Sequence, residues 1–268
     1  MTGTGDAPRD LSREVEAAVD LARLGGRIAL GHFRKDPAAR VKADGTWVTE
    51  ADWAAEAQIR LRIARDFPDH NVLGEEEGLT AAGGGDALPD APTWVIDPID
   101  GTNNFIAGIP IWGTLVALQV DGESVVGAAH APALGETYRG ALGSGAFMND
   151  DAISVSNVDD IAHATVLFGG LKLWPDEARR DAFEDLVRKS WRSRGLGDFW
   201  GHMLVARGAA EIMVEPELSL WDVAALQPIV TEAGGRLTHI DGSSWTKKGS
   251  CLTTNGLLHT AALETLGS

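Results

Sequence analysis

Apolar residues at Val15, Ala18, Val19, Ala22, Ile28, Ala29 and Phe33 form one stripe at helical spacing and predict a first helix, which Asp10 or Ser12 can cap. Gly25-Gly26 weakens the middle of that stripe. Thr49-Glu50-Ala51-Asp52 matches a capping box and predicts a second helix running towards Arg65. The stretch 81–92, rich in Gly, Pro and Asp, reads as a mobile surface loop. Beyond it the pattern becomes strand-like over 93–96, 111–120, 124–130 and 136–141, with turn residues between the runs. Several of these runs are joined too briefly for helical crossovers, which predicts antiparallel pairing. Helical spacing returns over 176–190, 199–207, 222–233 and 257–266, with strands near 211–214 and 236–240. Layered α and β is the class this implies. No internal repeat, low-complexity tract or clear linker interrupts the pattern, so residues 1–268 read as one domain. Residues 1–9, small and polar, are expected to be disordered.

Charge changes the picture next. The 39 Asp and Glu against 23 Lys and Arg leave a formal charge of -16, which repels nucleic-acid backbones and anionic lipid headgroups. Neither nucleic acid nor membrane is expected as a partner. A phosphate-bearing small molecule would be repelled as well, unless bound metal ions concentrate positive charge locally. The single cysteine, Cys251, excludes an intramolecular disulfide and fits a reducing compartment. With no activating base beside it in sequence, it reads as a small buried hydrophobe rather than a nucleophile. Residues 1–6 show no basic segment leading into an apolar core, and no run is long and apolar enough to span a bilayer, so a cytoplasmic protein is expected.

The most informative segment is Trp94-Val95-Ile96-Asp97-Pro98-Ile99-Asp100-Gly101-Thr102-Asn103-Asn104-Phe105, in which an apolar strand runs straight into two aspartates. Pro98 fixes φ and Gly101 permits close backbone approach, so the two carboxylates and the Ile99 carbonyl can converge on hard cations. The following amides and the Thr102 hydroxyl can then donate to phosphate oxygens. A plain turn also uses Asp-Pro and Asp-Gly, but it does not explain a strongly apolar strand delivering both acids. Upstream, Leu73-Gly74-Glu75-Glu76-Glu77-Gly78 is either a solvated acidic loop or a ligand loop. Downstream, Asp222 opens an apolar helix, where N-capping and metal binding are both open.

Taken together, Gly74-Glu75-Glu76, Asp97-Pro98-Ile99-Asp100-Gly101-Thr102, and Trp221-Asp222 followed by Glu232-Ala233-Gly234-Gly235 resemble the inositol monophosphatase family of metal-dependent phosphatases. Order and approximate spacing match, and the resemblance runs from the first helix to Thr254-Asn255-Gly256. It implies an α+β fold, the layered αβαβα sandwich of inositol monophosphatases and sugar phosphatases, and a homodimer. It implies two or three Mg2+ ions, with Glu75, Asp97 and the Ile99 carbonyl at the first and Asp97, Asp100 and Asp222 at the second, and lithium as an inhibitor at the second. Glu75 with Thr102 would orient and deprotonate the attacking water, and Gly101 and Thr102 would hold the phosphate. Lys42 and Asp52 resemble the family's Lys and Asp upstream of the metal loop, the latter ordering water around Thr102 or a third metal. For Asp52 the capping box is an equally good explanation. In such a site cations roughly 3.5–4 Å apart stabilise the attacking and leaving oxygens, and no protein nucleophile is required. That agrees with a sequence in which no Ser-His-Asp arrangement stands out and the histidines are scattered.

The alcohol released must be read elsewhere. Within Trp191-Arg192-Ser193-Arg194-Gly195-Leu196-Gly197-Asp198-Phe199-Trp200, the Gly197-Asp198-Phe199 form resembles the histidinol-phosphate phosphatase branch, as does the flow from Leu204-Val205-Ala206 to Glu215-Pro216 and Trp221-Asp222. Histidinol phosphate carries an ammonium and an imidazole beside its phosphate, which carboxylates at Asp198 and Glu215 would suit, whereas inositol offers hydroxyls. Gly197, Asp198, Phe199, Arg194 and Glu215 are therefore the candidate substrate residues, with helix capping by Asp198 as the competing explanation. The expected substrate is a small phosphate monoester, histidinol phosphate in histidine biosynthesis. The alternatives are inositol-1-phosphate or a broader range of small phosphates and, in another class, a non-catalytic metal-binding regulator.

Overall fold

The computed structural model describes residues 10–35, 38–43, 45–174 and 176–267; the disorder expected for 1–9 lies outside them. The first predicted helix is α1 (Ser12–His32); Leu11 occupies its cap position without a side-chain capping bond, so neither Asp10 nor Ser12 is the cap, although Asp10 Oδ1 accepts the Ser12 amide at 3.0 Å. The glycines that weaken this helix are where it meets the sheet. A Cβ on Gly25 would lie 2.8 Å from both Ile59 Cδ1 and Thr114 Cγ2, and one on Gly26 would lie 2.6 Å from His130 Cδ2. Each glycine costs about 1 kcal/mol of helix propensity against Ala, and the close contact it permits offsets that cost. The predicted capping box forms at the start of α2 (Glu50–Asp66), where the Thr49 amide donates to Asp52 Oδ2 at 2.8 Å.

Between the two helices lies a small hairpin, β1 (Arg40–Val41) and β2 (Trp47–Val48). The main sheet comprises β3 (Asn71–Gly74), β4 (Gly78–Ala81), β5 (Thr93–Asp100), β6 (Gly113–Val120), β7 (Glu123–Ala131), β8 (Glu136–Ala141), β9 (Ala146–Met148) and β10 (Asp151–Ile153). Their spatial order is β10-β9-β8-β7-β6-β5-β3-β4. The runs from 93 to 141 pair antiparallel as expected, while β3 lies parallel to β5. The loop after β4 is largely exposed, and the Asn71 side chain ties its far end through the Leu88 amide at 2.7 Å. A short helix, α3 (Thr102–Ala107), follows β5.

The second sheet comprises β11 (Thr165–Phe168), β12 (Arg192–Arg194), β13 (Ile212–Ser219), β14 (Arg236–Thr238) and β15 (Lys248–Thr254), in the order β12-β11-β13-β15-β14. Here β11 is parallel to both neighbours, since α4 (Glu177–Lys189) precedes β12 and α5 (Asp198–Ala206) precedes β13. The helix expected over 222–233 is two pieces, α6 (Leu220–Val223) and α7 (Leu226–Glu232). Pro228 has no N–H to donate to the Ala224 carbonyl, and its ring crowds that carbonyl. The last helix is α8 (His259–Leu266).

The layers follow the apolar faces. Ala18, Leu21 and Ala22 of α1 and Ile59 and Ile63 of α2 pack on Trp94, Ile96, Val116 and Leu118. On the other face of the main sheet, Val95, Leu115, Ala117 and Ala129 meet Phe199, Met203, Leu226 and Ile229 from α5 and α7. Leu204 and Val205 of α5 reach Leu167 and Met213 of the second sheet, whose far face is covered by Phe183, Leu186, Ala262 and Leu266 from α4 and α8. The order is αβαβα, as the resemblance implied. Along β5, Trp94 and Ile96 face one core and Val95 the other, which is why this strand is apolar throughout. Burying each Val or Ile side chain fully contributes about 1.5–3 kcal/mol, so the strand that ends in the two aspartates is clamped from both sides. No described helix is long and apolar enough to cross a membrane.

Candidate active site

Asp97 and Asp100 have opposite parity on β5, and in a regular strand their side chains would face opposite sides of the sheet. Against β6, however, Asp97 pairs with Leu115 and Asp100 with Gly113, so the step from 97 to 100 is matched by the shorter step from 115 to 113. This is a β-bulge at Pro98-Ile99, placed where Pro98 has no amide to give to the ladder. The extra residue restores parity and turns both carboxylates into one cleft of about 440 Å3, lined by Glu75, Asp97, Ile99, Asp100, Gly101, Thr102, Asp198 and Asp222. Glu75 arrives by register. Gly74 is paired with Ile96 across parallel strands, and the Glu75 amide donates to the Ile96 carbonyl at 3.2 Å, which sets Glu75 beside Asp97. Asp222 comes from α6, where its Oδ2 accepts the Ser219 amide at 2.7 Å. Ser219 is the N-cap of α6, with Asp222 at the third helical position completing the capping box, and Asp222 also joins Asp97 and Asp100 in a group that could hold a metal ion, its candidate ligand oxygens lying within 4.8 Å of one another.

Burial pushes Asp97 well above the carboxylate range, and Glu75, Asp100 and Asp222 add to this; Asp100 is raised likewise by burial and then by Asp198 and Asp222. Burial raises Asp222 to about 7, opposed by the Ser219 amide and reinforced by Glu75 and Asp198. Asp97 already accepts the Ile99 amide at 3.0 Å, and Asp100 accepts the Phe199 amide at 3.1 Å. Those bonds fix the carboxyl groups while leaving further oxygen lone pairs on each. Crowded, hard oxygen donors whose ionisation is costly without positive charge fit a divalent metal ion, and the residues present therefore suit one.

Lys42 Nζ, in the loop between β1 and β2, bonds Glu75 Oε1 at 2.7 Å and Glu76 Oε1 at 2.6 Å. Partial burial works to lower its pKa, but hydrogen bonds and charge from the two glutamates outweigh this and raise it. Burial raises Asp52 to about 7 despite its bonds from Thr49, with Glu76 and Glu75 adding to the shift. Its Oδ2 belongs to the capping box, whereas Oδ1 is buried without a hydrogen-bond partner and Asp52 contributes to the field at Asp97. Thr102 Oγ1 donates to the Ile99 carbonyl at 2.9 Å, and that carbonyl keeps a second lone pair. Gly101 has φ +86, and a Cβ there would lie 3.1 Å from the Ile111 carbonyl and 3.3 Å from Asp198 Oδ2. Only glycine suits this position.

At the other side of the cleft, Asp198 does not cap α5. Gly197 occupies the cap position and no side-chain capping bond forms, so the capping explanation for Asp198 fails. Its Oδ2 instead accepts from Asn104 Nδ2 at 2.9 Å, and its backbone is left-handed at φ +58, which is strained for a residue with a Cβ. Burial raises Asp198 to about 6 and Glu215 to about 8, the latter helped by Asp198. Glu215 lies behind the cleft wall: its Oε1 accepts the Asp198 amide at 3.3 Å, and a Cβ on Gly169 would fall 2.1 Å from that oxygen. Gly197 permits the same approach, since its Cβ would lie 3.1 Å from Glu215 Oε1. Phe199 acts through its amide on Asp100, its ring being buried against Gly113. Arg194 is exposed on β12 with Nη1 donating to the Ser193 carbonyl at 2.7 Å, and it does not line the cleft. The sequence reading passed over Asn104, which holds Asp198, and over Trp47, Leu173 and Leu218, which also line the cleft. Asn104 had a signal, being four residues beyond Asp100 in the same motif, but its partner is distant in sequence.

A sequence model of the inositol monophosphatase family matches residues 10–267. The histidinol-phosphatase of Mycobacterium tuberculosis is 43% identical over 232 residues, covering 85% of this chain and 87% of the relative. That of Streptomyces coelicolor is 42% identical over 233 residues, covering 84% and 85% respectively. Among solved structures, the IMPase of Thermotoga maritima superposes with a TM-score of 0.85 at 30% identity, covering 95% of this chain and 96% of that one. Similarity to phosphatases over this length displaces the reading as a non-catalytic metal-binding regulator.

Proposed function

The chain belongs to the inositol monophosphatase family and is a phosphomonoesterase, and from that premise we propose that it hydrolyses histidinol phosphate with Mg2+. The observation that carries the substrate is the Asp198 carboxylate, which lines the cleft beside the acidic cluster and is aimed by Asn104 instead of capping its helix. A carboxylate there suits the ammonium or imidazolium of histidinol. At 4 Å such a pair is worth about 4 kcal/mol gross at an effective dielectric near 20, and a third of that changes preference about ten-fold. The identity with two histidinol-phosphatases supports the same substrate.

Glu75, Asp97 and the Ile99 carbonyl would hold one Mg2+, and Asp97, Asp100 and Asp222 a second, with Asp52 Oδ1 available to a third. Magnesium so held supplies Lewis-acid polarisation of phosphate and lowers the pKa of water. Glu75 accepts the water's proton on the oxygen that Lys42 does not engage, and the Gly101 and Thr102 amides hold the phosphate. Lys42 orients the Glu75 carboxylate through the bond to its Oε1. Asp198 takes the cationic end of the substrate, and Glu215 supports it from behind through the Asp198 amide. We also infer one domain acting as a cytoplasmic homodimer in histidine biosynthesis, supported by the family resemblance and by the lone buried Cys251. The test is kcat/KM with Mg2+ on histidinol phosphate, inositol-1-phosphate and an aryl phosphate. Histidinol phosphate should lead by ten-fold or more. A lead for inositol-1-phosphate would overturn the assignment.

A further inference from the structure

Glu56, on α2, is fully buried and does not line the cleft. Its Oε2 accepts the Glu76 amide at 2.9 Å, and its Oε1 accepts the Glu77 amide at 3.1 Å and Arg60 Nε at 2.8 Å. The two amides are those that directly follow Glu75. Arg60 closes the other end of the same turn, with Nη2 on the Gly78 carbonyl at 2.6 Å and Nη1 on Thr80 Oγ1 at 3.1 Å. The fit is tight on the near side too, because a Cβ on Gly74 would lie 2.0 Å from Glu56 Oε1. The turn therefore carries Glu75, Glu76 and Glu77 in succession, a run that repels itself, yet it is pinned to α2 at 76, 77, 78 and 80 and to β5 through the Glu75 amide.

We propose that Glu56, braced by Arg60, is the positioning residue that holds the β3–β4 turn so that the Glu75 carboxylate meets Asp97 around the metal. The inference rests on Glu75 being a metal ligand. It explains why a buried acid stands at 56: three donors converge on its two oxygens, and a glutamine would turn an NH2 group towards at least one of them. It also explains Gly74, since any larger residue displaces that carboxylate.

The test is calorimetric titration of the metal-free full chain with Mg2+ for the wild type, Glu56→Gln, Glu75→Gln and the double variant. Glu56→Gln should weaken Mg2+ binding ten-fold or more. In the Glu75→Gln background the same change should alter binding by less than two-fold, because its effect passes through Glu75. A merely structural loss would be the same in both backgrounds and would overturn the proposal, as would wild-type Mg2+ affinity in Glu56→Gln. Should Glu56→Gln fail to fold, Gly74→Ala displaces the carboxylate without removing it, and must show the same background-dependent loss. Unaltered Mg2+ binding in Glu75→Gln would sink the ligand assignment and this proposal together. Failure of the histidinol phosphate preference would touch neither.

Discussion

Replacing Asp222 with Asn should stabilise the metal-free protein at alkaline pH while abolishing turnover. The folded structure raises Asp222 from an ordinary 3.8 to about 7, through burial and the charges of Glu75 and Asp198. Each unit corresponds to about 1.36 kcal/mol, so ionising this group in the folded state above pH 7 costs up to about 4 kcal/mol. Asp97 and Asp100 share the same site and are themselves raised by burial, and the shared charge reduces the expected gain to about 1–3 kcal/mol. The Ser219 amide loses nothing, since the Asn carbonyl accepts it. The sign follows from the direction of the shift: a raised acid is destabilising above its folded pKa near 7, and the penalty fades as pH falls towards the unfolded value near 3.8. Urea denaturation in chelator should therefore show Asp222→Asn ahead of wild type at pH 8, with the gap nearly closed at pH 4. Adding Mg2+ should reverse the order, because the wild type gains about 2.7 kcal/mol at a hundred-fold excess over Kd and the variant does not. A variant no more stable than wild type at pH 8 without metal, or a gap independent of pH, would refute the reasoning.

Glu75→Gln should lose at least about a hundred-fold in kcat with a smaller change in KM, since an amide still offers an oxygen but takes no proton; a steep rise in KM at constant kcat would make Glu75 a substrate-binding residue. Asp198→Ala should lower kcat/KM for histidinol phosphate ten-fold or more, a charge-assisted hydrogen bond being worth about 1.5–3 kcal/mol, with an aryl phosphate much less affected. Equal losses on both esters would remove Asp198 from specificity. Lithium should inhibit at the second metal position with a strength that varies with Mg2+ concentration in steady-state assays, and insensitivity would count against that position.

The residues that line the cleft were legible in the sequence where they share a compact motif, since Asp97, Ile99, Asp100, Gly101 and Thr102 occupy a single stretch of chain. The long antiparallel strands were legible from their alternation, and α2 from its capping box. Other strands were not. β3, β11 and β15 are set by partners far away, and β3 brings Glu75 to Asp97 only through its parallel register with β5. For the same reason Glu56, Arg60 and Asn104 were invisible as supports: their roles exist in contacts across 18 to 94 positions, such as Arg60 to Gly78 and Asn104 to Asp198. Arg194 and Glu215 were read as substrate contacts from the branch resemblance and from charge, but neither lines the cleft: Arg194 is exposed on β12, and Glu215 is buried behind Asp198.

The bulge at Pro98-Ile99 makes the site depend on how many residues lie between its acids as well as on which they are. Because the extra residue is what brings Asp97 and Asp100 to one face, pairing β5 with β6 residue for residue at the same length would carry Asp100 past Gly113 and turn its carboxylate towards the core under α1 and α2. Losing the bulge without losing a residue would thus both disperse the two acids and force a charge into a hydrophobic layer. Deleting Ile99 would instead leave both carboxylates on one face, two positions apart, and take away the backbone carbonyl between them, so residue count is itself part of the specification of this segment.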